Sequence, residues 1–314
     1  MIFVTLSSFA EHEDEPLRML EAARVPFRIH DTGKRITAEE LVLAARDATV
    51  VIAGVESYDR ATIAALPRLR CISRCGVGVD AIDLEAARES GVTVLNTPDA
   101  PVAAVTELAV TMMLALSRNL PRQGVAVRAG EWRRLEAHLL GARRVGIVGL
   151  GRIGRRVATI VRAFGSEVWA ADPAADAAWC AERGVRVASL DDLLRSCDVI
   201  SIHAARSTGT PLRIAEPEFA KMRSGAILIN LGRGDMVDEG ALYAALACGR
   251  LFGAGLDVYG HEPYGGPLCH LDNVILTPHA ATLTVETRSA MERECVRKAL
   301  AFLDGTLPAH ERVQ

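Results

Sequence analysis

Three residue types at three similar places in the chain make a chemical set. Arg233 follows the apolar run AILINLG, Glu262 lies just past GLDVYGH, and His279 ends VILTP. Hydride delivery to a ketone builds negative charge on its oxygen, and an imidazolium can donate a proton there and take one back in the reverse direction. A carboxylate beside the imidazole would hold its tautomer. A guanidinium can bind the carboxylate and carbonyl of a 2-keto acid through directed hydrogen bonds. Singly, each has a plain structural explanation: a surface charge, a turn acid before Pro263, a loop histidine. Their recurrence at the ends of successive apolar runs points to a site. Pro278 restricts the backbone entering His279, and the small Ala280 and Ala281 let the chain pass close to a ligand.

A source of hydride is written into VGIVGLGRIGRR, which contains Gly149-x-Gly151-x-x-Gly154. The bare pattern is weak in a chain with 26 glycines. Its context is stronger. The loop follows an apolar run, Val145 to Val148, and opens a helical segment. The next strand-like run, EVWAAD, ends in Asp172 at about the 20-residue distance expected of a dinucleotide fingerprint. Gly149 permits the tight turn, Gly151 lets the backbone approach a pyrophosphate, and Gly154 lets helix and strand pack closely. The helix start then offers free N–H donors; Arg152, Arg155 and Arg156 read as solvated, with a place flanking the pyrophosphate as the alternative for Arg152. Asp172 would accept hydrogen bonds from the adenosine ribose and repel a 2′-phosphate, which favours NAD over NADP.

The elements that must carry these residues alternate. IFVTL, ATVVIAG, LRCISRCG and GVTVLN are strand-like, with Ala/Leu/Glu-rich segments between them. TPDAP then precedes a long helical segment from about Val102 to Arg118. A second series follows: RRVGIVGLG, SEVWAAD, DVISIHA, GAILINLG, GAGLDVYG and NVILTPH, whose apolar character predicts central parallel strands buried on both faces. SLDDLLRSC predicts a helix opened by a Ser189–Asp192 capping box. TVETRSAMERECVRKALAFLDGT predicts one amphipathic helix ending at Gly305. The expectation is an α/β protein with two doubly wound parallel-sheet domains. One comprises residues 1–98 with 283–314, the other residues 99–282.

Composition narrows the partners. With 314 residues and a formal net charge of −3, nothing favours nucleic acid or an anionic membrane. No apolar run approaches the roughly 20 residues that span a bilayer, and the N-terminus does not read as a signal peptide. The seven cysteines are read as reduced packing residues of a cytoplasmic protein, and no metal site is expected.

With these residues in hand, the sequence resembles the D-isomer-specific 2-hydroxyacid dehydrogenase family, closest in style to D-3-phosphoglycerate dehydrogenases and their short relatives. SRCGVGVDAIDLEAARESGVTVLNTP, VAAVTELAV, RAGEW, VGIVGLGRIG, INLGRGDMVDEGAL, GAGLDVYGHEP and NVILTPHAA carry the resemblance across nearly the whole chain. It implies an NAD-binding Rossmann domain inserted into a flavodoxin-like substrate domain. It implies that Arg233 binds substrate, His279 is the acid/base and Glu262 its partner. It also implies that the backbone at Val77 and Gly78 holds the substrate carboxylate. Arg152, Ile153, Asp172, Ala204, Leu231, Gly232 and Asp257 would line the NAD site. A homodimer through the NAD-binding domain is implied as well, with Trp132 on the dimer-forming arm, and no C-terminal regulatory domain. Two places depart from the family. HAARSTGTPLRI stands where relatives carry something like H-x-P-L-T, and Asp235 replaces a common glycine.

The reading is therefore an NAD-dependent oxidoreductase interconverting a small 2-keto acid and its D-2-hydroxy acid. An NAD(H)-sensing, corepressor-like binding protein on the same scaffold is the alternative. Oxidation of formate or phosphite is a third reading, and HEP argues against it.

Overall fold

The computed structural model describes residues 1–206 and 212–313. They form two compact units, Met1–Pro101 with Leu283–Gln314, and Val102–Thr282.

The first unit is a five-stranded parallel sheet. Its strands are β1 (Ile2–Val4), β2 (Phe27–Ile29), β3 (Val50–Ala53), β4 (Cys71–Arg74) and β5 (Thr93–Leu95), in the order β2-β1-β3-β4-β5. That is the flavodoxin-like order, and its switch point lies between β1 and β3. β3 is buried at every position, as its unbroken VVIA run demands. The helix Val285–Leu303 returns from the far end of the chain and buries Met291, Cys295, Val296 and Ala299 in the core that holds Ile2, Val4, Ile52 and Cys71.

The second unit is a seven-stranded parallel sheet. It comprises β6 (Arg144–Val148), β7 (Glu167–Ala171), β8 (Val185–Val187), β9 (Val199–Ile202), β10 (Ala226–Asn230), β11 (Leu251–Leu256) and β12 (Val274–Leu276), in the order β12-β11-β10-β9-β6-β7-β8. The order reverses between β6 and β9, the crevice where a dinucleotide lies in a Rossmann fold. The helix Val102–Ser117 covers one face of this sheet and buries Ala109, Met112, Met113 and Leu116.

Several expectations needed correction. β2 and β8 were not anticipated: each has only three residues, with solvent on part of its surface, so neither leaves an apolar run. β12 was expected among the central strands but is an edge strand, and its three residues are only half-buried. The Ser189 hydroxyl accepts from Asp192 N–H at 3.1 Å, yet the box does not close. The Asp192 carboxylate takes the Ser189 hydroxyl at 2.7 Å, its side chain being one methylene shorter than the Glu that reaches a cap N–H. A complete box forms instead at Thr37 and Glu40. All seven cysteines are free, but Cys248 and Cys269 are exposed rather than packed. Among the described residues no helix is long and apolar enough to cross a membrane, and no group of His, Cys, Asp and Glu could hold a metal ion.

Candidate active site

The histidine loop follows β12, and its geometry is set by a residue on the neighbouring strand. Asp257, directly after β11, is buried. It accepts from Thr277 Oγ1 at 2.6 Å, from Ala280 N–H at 2.7 Å and from Ala281 N–H at 3.0 Å. Those bonds fix the chain on both sides of His279, whose φ of 52° places it in the left-handed region. Histidine tolerates that region better than most side chains, but it still needs surrounding structure to hold it there. His279 N–H bonds back to Thr277 O at 3.0 Å across Pro278.

The imidazole meets the expected acid. His279 Nδ1 lies 2.9 Å from Glu262 Oε2 and 3.2 Å from Oε1. A carboxylate can only accept, so Nδ1 carries the proton in this pair. Glu262 is itself steadied by Tyr259 N–H at 3.2 Å, while the Tyr259 hydroxyl donates toward the carbonyls of Leu256 and Thr277.

Arg233 sits in the turn after β10. Buried Asn230 accepts from Gly232 N–H at 3.0 Å and donates to Arg233 O at 2.9 Å, which bends the chain around the arginine backbone. One guanidinium N–H donates to Gly232 O at 2.9 Å. Gly234 is required by close approach, because a Cβ there would stand 1.9 Å from the carbonyl of Tyr259. The Arg233 turn is therefore pressed against the segment leading to Glu262. Leu231 is buried under the same turn.

The glycine loop acts through packing as much as through turn geometry. Gly149 has φ +92°, and a Cβ there would lie 2.5 Å from Ala204 N, so the loop after β6 touches the end of β9. A Cβ on Gly154 would lie 2.1 Å from Gly149 O. A Cβ on Gly151 would meet nothing within 4 Å, and no side chain caps the helix Arg152–Ala163 that begins beside it. Open space in front of uncapped N–H groups fits a pyrophosphate. Ile153 packs on the core of this unit. Asp172, just past β7, accepts from Leu150 N–H at 2.6 Å and from Ala174 N–H at 2.7 Å, so its carboxylate is anchored on the glycine loop. The donor set and the free space fit NAD(H). Beside Ala204, burial pushes the imidazole of His203 down to about 4.

In the first unit, Val77 and Gly78 follow β4. Asn96 Nδ2 donates to Val77 O at 2.8 Å, and Gly76 N–H donates to Thr97 Oγ1 at 2.8 Å, which holds the loop from below.

The two departures from the family pattern meet each other. Arg206 and Asp235 pair at 3.0 Å, across the turns that follow β9 and β10. Ser207, the third atypical residue, lies outside the described residues. Asn230, Thr277 and Tyr259 were missed from the sequence. Only Asn230 carried a signal, as an amide closing an otherwise apolar strand.

Comparison with known proteins gives the family. Residues 110–281 match the profile of the D-isomer specific 2-hydroxyacid dehydrogenase, NAD binding domain. A D-3-phosphoglycerate dehydrogenase of Mycobacterium tuberculosis is 37% identical over 270 residues, covering 84% of this chain and 51% of the relative. A hydroxypyruvate reductase of Thermotoga maritima is 37% identical over 274 residues, covering 85% of this chain and 86% of the relative. The structure of a D-lactate dehydrogenase from Aquifex aeolicus, complexed with NAD and lactic acid, superposes with a TM-score of 0.86 at 29% identity, covering 99% of this chain and 98% of that one. The chain belongs to the D-isomer specific 2-hydroxyacid dehydrogenase family. It spans about half the length of the phosphoglycerate dehydrogenases it matches.

Proposed function

We propose that the chain is an NAD-dependent D-2-hydroxyacid dehydrogenase, reversibly interconverting a small 2-keto acid and its D-2-hydroxy acid. The observation that carries this is the His279–Glu262 pair at 2.9 Å, on a loop held in a left-handed turn by Asp257. Bound NADH supplies the hydride. His279 Nε2 protonates the carbonyl oxygen as negative charge develops there, and in the other direction it removes the hydroxyl proton. Glu262 fixes the tautomer and supports the imidazolium. Arg233 orients the substrate by paired hydrogen bonds, and the amides around Val77 and Gly78 hold its carboxylate. Gly149, Gly151, Arg152, Ile153, Gly154, Asp172, Ala204, Leu231, Gly232 and Asp257 form the NAD site.

Assembly belongs to the same reading. The segment after the helix Leu120–Arg128 forms neither helix nor strand up to residue 139, and Trp132 on it is 87% exposed. An aromatic left in solvent there suits burial by a second copy, giving a homodimer through the NAD-binding unit.

The test is NADH oxidation over a panel of 2-keto acids: glyoxylate, pyruvate and hydroxypyruvate. Turnover of at least one is expected. His279→Ala should cut it by about a thousandfold while NADH binding persists. Near-normal turnover by that variant would remove the acid/base role.

A further inference from the structure

The switch point of the first sheet carries a buried carboxylate that the proposed chemistry does not use. Glu56 lies three residues past β3 and is 4% exposed. Its Oε1 accepts from Thr5 Oγ1 at 2.5 Å, from the Tyr58 hydroxyl at 2.7 Å and from Gly54 N–H at 3.0 Å. Thr5 directly follows β1, so the network joins the carboxyl ends of β1 and β3, the crevice where a flavodoxin-like sheet takes its ligand. Tyr58 is fully buried, and desolvation together with the Glu56 charge raises its hydroxyl well above the usual range.

The same segment is tied to the loop that contains Val77 and Gly78. Tyr58 N–H donates to Ala81 O at 2.7 Å, and Asp83 N–H donates to Tyr58 O at 2.9 Å. That loop therefore runs from the end of β4 to the segment that holds Glu56. The cations at these strand ends are engaged by groups other than Glu56. Arg74 lies over Gly76 and donates to Cys75 O. Arg288, which reaches Ser8 after β1, is paired at 2.9 Å with Glu292, which is also buried. Arg35 donates to Val55 O beside Glu56, and Arg293 pairs with Glu13 of the acidic run EHEDE at 11–15, so among the described residues no guanidinium forms an ion pair with Glu56.

We infer that Glu56 determines specificity, selecting 2-keto acids whose only negative charge is the carboxylate and rejecting those that carry a phosphate or second carboxylate. This rests on the reaction proposed above and names its substrate class. A buried carboxylate interacts across a poorly screening interior, so it repels a second anion strongly while leaving a neutral or hydroxyl-bearing side chain unaffected. The preference therefore differs from the one that the name of the mycobacterial relative carries.

Hydroxypyruvate and 3-phosphohydroxypyruvate differ only by the phosphate, so their kcat/KM ratio on the full chain is the readout. For the wild type we expect the unphosphorylated acid to be favoured by about a hundredfold or more. Glu56→Gln keeps an acceptor for the three donors and removes the charge. It should narrow the ratio at least tenfold, through KM for the phosphorylated acid, with hydroxypyruvate changed by less than about threefold; tenfold corresponds to about 1.4 kcal/mol. The ratio is taken within one preparation, so loss of folded enzyme cancels. If Glu56→Gln fails to fold, the wild-type ratio still decides, because a preference for the phosphorylated acid overturns the inference. An unmoved ratio in an active Glu56→Gln variant overturns it too, with the dehydrogenase reading intact. Absence of turnover with either acid, together with the rest of the keto-acid panel, removes both.

Discussion

At the scale of single residues, the histidine is less self-sufficient than its motif suggests. His279 would relax out of its left-handed conformation if the amides that follow it lost their acceptor, and that acceptor is Asp257. Asp257→Ala strands a hydroxyl and two N–H groups in the interior, which should cost about 2–4 kcal/mol of stability. It should also cut turnover by about a hundredfold, because a displacement of about an ångström in a catalytic group has that effect. Thermal unfolding and steady-state rates on one sample would check both; unchanged turnover at lowered stability would confine Asp257 to a structural part. The Arg206–Asp235 pair has the opposite character. Both side chains are half exposed, and such pairs contribute at most about 1 kcal/mol. Its interest is that it joins the turn after β9 to the turn after β10 that carries Arg233.

At the scale of elements, two glycines three positions apart in one motif, Gly151 and Gly154, do different things. Gly154→Ala drives a methyl into Gly149 O, a backbone atom that cannot turn away, and should lower stability by about 3 kcal/mol. Gly151→Ala meets nothing within 4 Å, so the melting temperature should hold while NADH affinity falls about tenfold or more. Melting curves and NADH fluorescence titrations of the two variants would separate the roles; equal melting losses would contradict the assignment. The same contrast explains what could be read in advance. The long, doubly buried runs that became β3, β9 and β10 were plain in the sequence, as was the sequence Gly149 to Asp172, because burial on both faces leaves an unbroken apolar signature. β2 and β8 were not, since three residues with solvent on part of their surface leave no periodicity to detect. The edge position of β12 was equally hidden, because strand order is a matter of crossover connections. Arg233, Glu262 and His279 were legible because they are charged groups at strand ends. The clamps beneath them, Asn230 and Thr277, are uncharged and local, and only coordinates reveal that their hydrogen bonds shape the turns.

At the scale of the whole molecule, the last long helix belongs to the first unit. Met291, Cys295, Val296 and Ala299 fill a core that they share with β1, β3, β4, Leu95 of β5 and Leu20 of the helix Glu15–Ala22. Burying side chains of this size contributes roughly 1.5–3 kcal/mol for each of the larger ones, so their sum is comparable with the 5–15 kcal/mol that holds an entire domain together. A chain ending at residue 282 should therefore lose its first 101 residues rapidly to limited proteolysis, while a fragment beginning near Val102 survives. Equal resistance of both segments, read by mass spectrometry of the digest, would show that the helix is dispensable.

That arrangement also orders events in time. A ribosome makes residues 1–101 first, but the face of their sheet that the helix Glu15–Ala22 covers through Leu20 is not fully covered until Val285–Leu303 has emerged. Everything needed for the dinucleotide unit is available before that helix exists. The dinucleotide unit can thus reach its native state while the first-made segment still waits, exposed, for the last-made one. The part of the chain born earliest is the part completed latest, and the interval between the two is the time taken to synthesise the other domain.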